Sequence, residues 1–459
     1  MTIADYLNQP NKPQSLQEII AQAKIKNTSN PAVLSRTDEY VSLRQEEQFW
    51  KSFAGCPIVI KDNILLQDTI STFWSIIWWS YRAPYSSTVA RKLEDAGFLV
   101  VGKVAMDEFA MGTTGENTPF TLPHNPYDEN HVSGGSSSGS AVAVATDMVP
   151  VALGSDTGGS IRLPASFCGI IGLKPTYGAV SRYGVQAMAS SFDQVGVFAK
   201  TIDDSQVVFD VIKWVDPLDA TTQDYMFHKK ITSLQWLRIG LPKQYFWEGL
   251  DPQVKQTIMN TIDKLVEQGA VVVELDIPLI DAGVSVYYTL VNAEVSTNMA
   301  RFDGLKFWLQ SDTNDATNHM EYLAKTRDEG FGSEVKRRIL LGAHILSASE
   351  YEGLYMKAMN IRTQVTQQFK DHFAHDVDVI MWPTVPLLPW EIGAKVDDPV
   401  AMYLADAYTV IANLTGCPSI SIPVGFWELD WKKLPIWLQI MGDHCSEYDL
   451  FEISKLILQ

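Results

Sequence analysis

Short apolar runs alternate with amphipathic stretches along most of this chain of 459 residues. A continuous apolar run at 56–60 predicts a buried strand, and the spacing of Val89, Leu93 and Ala96 predicts a helix that Gly97 ends. The same patterns predict strands at 98–103, 149–154, 169–176, 238–241, 270–277, 377–382, 419–424 and 436–441. Helices are predicted at 86–96, 138–145, 201–214, 252–268, 281–300 and within 332–368. This alternation predicts an α/β fold whose sheet is buried on both faces.

The polar and apolar patterns also suggest how the chain is organised. Residues 1–50 are polar and charged and are predicted to form a helical N-terminal segment. Residues 51–459 are predicted to form a single domain with a helical insertion around 281–375. The polar stretch 216–222 is the best candidate for a boundary between two halves of that domain, and the stretch 177–195 before it is predicted to be a loop. No repeat with a fixed period is present.

Two loops rich in Gly and Ser, at 134–140 and 156–160, flank a predicted helix and a predicted strand. A reversal of the chain between helix and strand would bring the loops together. A Ser hydroxyl becomes a nucleophile when a neighbouring group takes its proton, and Gly allows backbone N–H groups to approach a developing oxyanion. One such loop alone would usually be a plain turn, whereas two around one helix–strand unit indicate acyl-transfer chemistry.

The sequences of these loops carry a family resemblance. The stretch GGSSSGSA at 134–141 and the stretch GSDTGGSIRLPASFCGIIGLKPT at 154–176 resemble the amidase signature family. The resemblance implies a large mixed β-sheet covered by helices on both faces. It also implies catalysis by a Ser–cis-Ser–Lys triad, which is another solution to the problem that the Ser–His–Asp triad solves.

Carried over by motif, the resemblance assigns roles to six residues. Ser160 would be the nucleophile, Ser136 the bridging cis-serine and Lys61, in PIVIKDN, the base. On its own, a lysine directly after a buried strand would more often be snorkelling to solvent than catalytic. Its pKa must fall if it is to act as a base. The expected donors to the oxyanion are the N–H groups of Thr157, Gly158 and Gly159.

Motifs in the second half narrow the resemblance. The stretches ARFDG at 300–304 and EGFGSEVKRRI at 329–339, with Asp406, resemble the A subunits of amidotransferases that act on Glu-tRNA(Gln) or Asp-tRNA(Asn). By motif, Arg338 and Asp406 would hold the α-carboxylate and α-amino group of free glutamine, together with Tyr287. A guanidinium suits a carboxylate, and a carboxylate suits an ammonium group. The alternative is that both charges belong to ordinary surface ion pairs.

The resemblance implies that this chain releases ammonia from glutamine and has no cofactor or metal of its own. The ammonia would pass to a partner B subunit, which would hold ATP and Mg²⁺ and make most of the contact with charged tRNA, and a small C subunit would join the two. Whether Glu-tRNA or Asp-tRNA is preferred stays open. Two other classes also stay open: a stand-alone amidase acting on a small or fatty amide, and a catalytically idle scaffold subunit.

The composition of the chain agrees with these expectations about cofactors and partners. The net charge of −18 argues against strong nucleic-acid binding by this chain alone. Its four cysteines are scattered, its histidines are not spaced for zinc, and no phosphate-binding glycine motif is present. No signal peptide or membrane-spanning run is evident, so a cytoplasmic protein without membrane contact is expected.

Tryptophan is unusually frequent, with thirteen in the chain. Several of these tryptophans stand where members of the resembled family have Gly, as in LPIWLQI at 434–440. Glycine is used where φ is positive or the backbone approaches closely, and indole is its largest replacement. We hypothesise that these codons are UGA, decoded as glycine in the source organism. The indoles should then be crowded or displaced to the surface. The positions are Trp74, Trp214, Trp236, Trp247, Trp308, Trp382, Trp431 and Trp437.

Overall fold

One mixed sheet of eleven strands runs through the part of the chain that the structure describes. The structure is a computed structural model, and it describes residues 1–36, 38–246, 250–305, 309–312, 316–394, 399–429 and 432–459. The strands are β1 Val33–Arg36, β2 Cys56–Lys61, β3 Phe98–Val104, β4 Val151–Asp156, β5 Ile171–Lys174, β6 Gln194–Ala199, β7 Arg238–Pro242, β8 Val271–Leu275, β9 Val379–Pro383, β10 Ser419–Leu429 and β11 Lys432–Gly442.

The α-helices of the described residues lie between and around these strands. They are α1 Ile3–Leu7, α2 Lys12–Ser29, α3 Asp38–Gln48, α4 Thr88–Ala96, α5 Ser138–Ala145, α6 Arg162–Cys168, α7 Ile202–Ile212, α8 Pro252–Glu267, α9 Gly283–Met299, α10 His319–Gly330, α11 Ser333–Ile345, α12 Lys357–His375, α13 Pro399–Leu404, α14 Val410–Thr415 and α15 Glu447–Leu458.

The strand order in the sheet is β1-β3-β2-β4-β6-β5-β10-β11-β9-β7-β8. Strands β3, β2 and β4 are parallel neighbours, as are β8, β7 and β9, and the remaining pairs are antiparallel. Because β2 and β4 are parallel, the loops that follow their carboxyl ends lie at the same edge of the sheet. One of these loops begins after Lys61 and the other after Asp156.

Both faces of the sheet are buried, as the apolar runs predict. Along β2, Ile58 and Ile60 belong to the larger apolar core, whereas Val59 belongs to a second core on the opposite face. In β4, Leu153 belongs to the larger core and Ala152 to the second core. Side chains alternate between faces along a strand, so a run that is apolar at every position fits a sheet with helices on both sides.

Two strands differ from the sequence expectations. Residues 1–50 contain not only helices but also β1, which pairs antiparallel with β3 at the edge of the sheet. Strand β6 begins at Gln194, inside the predicted loop 177–195. The polar stretch 216–222 does not divide the sheet, because β10 from the second half pairs with β5 from the first. Neither strand is evident from its local sequence, because each is stabilised by hydrogen bonds to its partner strand.

Five of the eight questioned tryptophans lie in the described part of the chain. Trp74 and Trp236 have φ values of 58° and 67°, in the left-handed region that favours glycine. Trp236 is 73% exposed, and Trp214 is also exposed. The remaining two described positions are Trp382 and Trp437, and Trp247, Trp308 and Trp431 lie outside the described residues.

The buried indoles differ in how well their N–H groups are satisfied. Trp74 and Trp437 are buried, and neither Nε1 has an acceptor among the described residues. Trp382 is also buried, but its Nε1 donates to the carbonyl oxygen of Tyr408 at 2.8 Å and its ring packs on Tyr245. A buried N–H without a partner costs about 1–3 kcal/mol. Trp382 therefore has the environment of an ordinary core tryptophan, and Trp74 and Trp437 do not.

Candidate active site

Lys61 is the last residue of β2, and its side chain is fully buried. Its Nζ lies 2.7 Å from Oγ of Ser136 and 2.9 Å from Oγ of Ser155, both hydrogen-bonding distances. Asn63 Nδ2 donates to the same Oγ of Ser155 at 2.9 Å. The structure therefore brings together Lys61 and Ser136, which the sequence motifs pair. It adds Ser155, which no motif marks as a site residue.

Burial lowers the pKa of Lys61 from its usual 10.5 to about 7. The carboxylates of Asp107, Asp156 and Asp193 act in the opposite direction and favour the charged amine. In the described part of the chain, none of them reaches ion-pair distance of Lys61, so desolvation prevails. A lysine with this pKa is substantially neutral near pH 7 and is able to accept a proton.

Ser136 lies in a tight loop, and its peptide bond with Gly135 is cis. A Cβ at Gly135 would lie 1.9 Å from Oδ2 of Asp107, so only glycine fits there. The Asp107 carboxylate accepts hydrogen bonds from the N–H groups of Gly115 and Asn117 at 3.1 and 2.9 Å. The N–H of Asp107 in turn donates to the carbonyl oxygen of Ser136 at 3.1 Å. This buried carboxyl group therefore joins two loops around Ser136.

Ser160 lies in the loop between β4 and α6, and the carboxylate of Asp156 organises that loop. Asp156 accepts hydrogen bonds from the N–H groups of Gly159 and Ile161 at 2.8 and 3.2 Å. It also forms a two-point ion pair with Arg162, with both distances 3.0 Å. Burial opposes the charge of Asp156, but Arg162 outweighs burial and the pKa falls to about 2. The loop is thus fixed, while Oγ of Ser160 makes no hydrogen bond within the described residues.

The N–H groups of this loop fall into two kinds. That of Gly159, expected to be an oxyanion donor, is already engaged by Asp156. Those of Thr157 and Gly158 have no acceptor among the described residues. A Cβ at Gly158 would lie 2.3 Å from the hydroxyl oxygen of Tyr287, so the loop and Tyr287 pack closely. In the described residues, the N–H groups of Thr157 and Gly158 are thus unengaged, whereas that of Gly159 donates to Asp156.

Arg338 lies on α11 and is almost fully buried. Its Nε donates to Oε1 of Glu334 at 2.7 Å, and the hydroxyl of Tyr403 donates to the same oxygen at 3.0 Å. Its guanidinium carbon lies 5.2 Å from the ring centroid of Tyr288. Burial opposes the charge of Arg338, but the carboxylate of Glu334 outweighs burial and raises the pKa. Arg338 is therefore a fixed buried cation and not a member of a solvated surface pair.

Asp406 is the second buried charge of this region. Its Oδ2 accepts a hydrogen bond from the hydroxyl of Tyr288 at 2.6 Å. Burial raises its pKa to about 7, against the effects of that hydrogen bond and of the nearby Arg338. No hydrogen bond joins Asp406 to Arg338 in the part of the chain described here. Tyr287 contacts Tyr288 with a ring-centroid distance of 5.0 Å. The three expected binding residues, Tyr287, Arg338 and Asp406, therefore surround Tyr288.

Tyr288 and Glu334 are two residues of this region to which the sequence motifs assign no role. Glu334 precedes Arg338 by four residues on α11, and this spacing places the two side chains on the same helix face. That spacing was a usable signal. Tyr288 follows Tyr287 directly, and no local pattern distinguishes which of two adjacent tyrosines meets a carboxylate that lies 118 residues further along.

The described ranges hold neither a grouped metal-ligand set nor a membrane-spanning helix. No three His, Cys, Asp or Glu side chains in these ranges are grouped so that they could hold a metal ion. None of the described helices is long and apolar enough to cross a membrane.

This chain belongs to the amidase family, because the family model for amidases matches residues 15–451. The A subunit of glutamyl-tRNA(Gln) amidotransferase from Gloeobacter violaceus is 47% identical over 406 residues, which cover 87% of this chain and 82% of that protein. Its counterpart from Alkaliphilus metalliredigens is 45% identical over 407 residues, covering 87% and 81%. The crystal structure of the A subunit from Thermotoga maritima superposes with a TM-score of 0.82 at 33% identity, covering 100% of this chain and 94% of that one.

Proposed function

We propose that this chain is the glutamine-hydrolysing subunit of a tRNA-dependent amidotransferase. The observation that carries the proposal is the combination of two features in a chain about 45% identical to such subunits. One is the Lys61–Ser136 pair, in which Lys61 also contacts Ser155, five residues before Ser160. The other is a buried Arg338 and Asp406 around the same tyrosine. The first feature suits amide hydrolysis in general, and the second suits an amide that carries both an ammonium and a carboxylate group.

In the proposed reaction, Oγ of Ser160 attacks the side-chain amide carbon of glutamine. Its proton passes through the hydroxyl of Ser136 to Nζ of Lys61, which is 2.7 Å from Ser136. The N–H groups of Thr157 and Gly158 stabilise the developing oxyanion. The carbon–nitrogen bond then breaks, the amide nitrogen takes the proton back and leaves as ammonia, and an acyl ester remains on Ser160. Water, activated by the same pair, releases glutamate and regenerates the hydroxyl.

Selection for glutamine is proposed to rest on Arg338 and Asp406. The Nη atoms of Arg338 have no acceptor among the described residues, so they are able to bind an α-carboxylate. Ionised Asp406 would accept from the α-ammonium group, and Tyr288 holds the carboxyl group in place. Tyr287 packs between these groups and Gly158. It thus connects Arg338 and Asp406 to the loop 157–161, which is called the nucleophile loop from here on.

The released ammonia is proposed to serve a partner B subunit, which would use ATP and Mg²⁺ to amidate the glutamate or aspartate on tRNA. A C subunit would complete the complex. The names of the similar proteins call them subunits, which supports assembly into a multi-subunit enzyme. The net charge of −18 supports tRNA contact mainly through the partner. A cytoplasmic location would place the complex with its charged tRNA.

A glutaminase assay tests the proposal directly. We expect equimolar ammonia and glutamate to be released from glutamine, by the chain alone or after addition of B and C subunits. Hydrolysis of simple amides at rates above that for glutamine would indicate a stand-alone amidase. The absence of hydrolysis under every condition would indicate a scaffold subunit.

The pH dependence of the reaction tests the role of Lys61. A base with a pKa of about 7 is neutral above that pH, and its neutral fraction falls about tenfold for each pH unit below it. We expect kcat to fall on this course between pH 7 and 5. Propionamide is the diagnostic substrate, because it does not need ionised Asp406, whose pKa also lies near 7. A rate that stays flat from about pH 5 to 9 would contradict base catalysis by Lys61.

Selectivity between glutamine and a simple amide tests the role of Asp406. We expect Asp406→Ala to raise the KM for glutamine by about tenfold to a hundredfold, because a charge-assisted hydrogen bond contributes about 1.5–3 kcal/mol. The kcat/KM for propionamide should change little. Asp210→Ala is the matched control, since Asp210 also accepts a hydrogen bond from a tyrosine hydroxyl but lies on α7. Equal losses on both substrates would show that Asp406 does not select glutamine.

A further inference from the structure

The register of β4 against β6 places Asp193 beside the nucleophile loop. The last residue pair of this antiparallel ladder is Asp156 with Gln194. The next residue on each side is therefore Thr157, which starts the nucleophile loop, and Asp193, which ends the loop before β6. Oγ1 of Thr157 donates a hydrogen bond to Oδ1 of Asp193 at 2.7 Å. The sheet thus sets a carboxylate against the first residue of the nucleophile loop.

The carboxylate of Asp193 is held firmly on its own side. Its Oδ2 accepts hydrogen bonds from the N–H groups of Met188 and Ala189 at 2.9 and 3.1 Å. The N–H of Asp193 donates to the carbonyl oxygen of Ala189 at 2.9 Å. The residue is buried, with 6% of its surface exposed. The N–H of Ala189 also reaches Oδ1 at 3.2 Å, so both carboxylate oxygens are tied to their own loop while Oδ1 presents a fixed acceptor to Thr157.

Phe192, the residue before Asp193, reaches the same loop by a second route. Its ring packs edge-on against Tyr287, with a centroid distance of 5.6 Å. The hydroxyl of Tyr287 lies against Gly158, at 2.3 Å from the position that a Cβ would take. Two adjacent residues of the loop before β6 thus support Thr157 and Gly158, which are the two residues whose N–H groups lack acceptors in the described structure.

We propose that Asp193 is a positioning residue that acts through the Thr157 hydroxyl and aims the N–H groups of the nucleophile loop at the oxyanion. This inference rests on the proposed function of that loop. Thr157 is the only residue between Asp156 and Ser160 that has a side chain beyond hydrogen, because Gly158 and Gly159 occupy the other positions. It is therefore the one residue of this stretch that anchors the backbone through its own side chain. The neighbouring peptide groups are held from outside, because Oγ1 of Thr409 donates to the carbonyl oxygen of Gly158 and Asp156 accepts from the N–H of Gly159. Donors to an oxyanion are effective only when they are held in place before the reaction.

Paired substitutions of Thr157 test the inference without changing any charge. Thr157→Val keeps the side-chain shape and removes the hydroxyl, whereas Thr157→Ser keeps the hydroxyl. We expect Thr157→Val to lower kcat by about tenfold to a hundredfold. This effect is smaller than the one expected from losing an oxyanion donor completely. The KM for glutamine should stay nearly constant, because Arg338 and Asp406 are untouched. Serine should restore most of kcat. A Val variant as active as the wild type, or a Ser variant as impaired as Val, would overturn the inference.

A double-mutant cycle asks whether Asp193 acts through Thr157. Asp193→Asn should lower kcat by an amount similar to Thr157→Val, and the double variant should fall no further than the worse single variant. Losses that multiply would mean that Asp193 acts by another route, and they would overturn the inference. If Asp193→Asn does not fold, the comparison of Val with Ser at Thr157 decides the question alone.

Two comparisons separate this role from a general loss of stability and from a wrong substrate. Thr88→Val removes another buried hydroxyl that donates to a carboxylate, that of Asp216, far along the chain from the nucleophile loop. It should lower thermal stability and leave kcat unchanged.

An ester substrate provides the second comparison. Cleavage of p-nitrophenyl acetate by the Thr157 and Asp193 variants needs Ser160 and its oxyanion donors but not the glutamine-binding groups. If the wild-type chain cleaves the ester and not glutamine, the proposed substrate is wrong, and the ester rates of the Thr157 variants still decide the role of Asp193.

Discussion

We expect Ser160→Ala to lower kcat for glutamine by at least about a thousandfold while leaving the fold intact. The hydroxyl is the only group in the proposed mechanism that bonds to the substrate carbon, so nothing in the site replaces it. Its removal should cost little stability, because Oγ of Ser160 makes no hydrogen bond within the described residues. The loop around it is held by Asp156 and Arg162, which the substitution does not touch. Steady-state release of ammonia and a thermal unfolding curve measure the two effects.

Ser166→Ala is the matched control for this variant. Ser166 lies on α6, six residues after Ser160, and its buried hydroxyl donates to the carbonyl oxygen of Leu163 within the same helix. Its loss should leave kcat unchanged. If Ser160→Ala retains a tenth of the wild-type rate, another group is the nucleophile, and the mechanism proposed for this loop fails.

The parts of the fold that could be predicted are those whose local pattern is strong. Helix α5 occupies the predicted residues 138–145, because its small and apolar residues are buried between two loops of marked composition. Strand β2 differs from its prediction only by including Lys61. Strand β1, in contrast, has four residues and no clear alternation of apolar and polar side chains. Its strand conformation is stabilised by pairing with β3. A contact with a distant partner leaves no periodic signal in a short segment.

In the candidate site, too, some features could be predicted from the sequence and others could not. Lys61, Ser136 and Ser160 were placed by motifs, and the structure joins the first two through a hydrogen bond. The engagement of the Gly159 N–H by Asp156 could not be foreseen, because it depends on how the loop folds back onto a carboxylate three residues away. The contact of Tyr288 with Asp406 depends on how α9 and the segment after α13 pack. Residue types and spacing indicate the chemistry, whereas the tertiary fold selects which N–H groups and hydroxyls remain free.

The tryptophans give the second prediction with a large expected effect. Trp236 adopts a φ of 67° although its side chain is 73% exposed, so it has strain without compensating burial. A left-handed conformation costs a residue with a side chain about 1–2 kcal/mol, and glycine does not have this cost. We therefore expect Trp236→Gly to increase the free energy of unfolding by about 1 kcal/mol. Denaturant unfolding with an unchanged m value would measure the gain.

Trp214→Gly is the control for that substitution. Trp214 is also exposed and also questioned, but its φ does not lie in the left-handed region, and Nζ of Lys92 lies 3.6 Å from its ring centroid. Glycine at this position relieves no strain and removes the contact with Lys92, so we expect no gain in stability. An equal gain in both variants would point to a general effect of removing exposed indoles. A loss of stability in Trp236→Gly would show that the left-handed backbone is not strained there.

The codons decide whether glycine is the natural residue. We predict UGA, decoded as glycine in the source organism, at Trp74 and Trp236, where the backbone is left-handed. We also predict it at Trp437, whose buried indole N–H has no acceptor among the described residues. Trp382 is the discriminating position, because its N–H is satisfied by Tyr408 and its environment suits a genuine tryptophan encoded by UGG. The intact mass of the protein isolated from its source should be lower by one Trp-to-Gly difference for each UGA codon. UGG at both Trp74 and Trp236 would contradict the hypothesis and would leave two strained tryptophans as the product of sequence divergence.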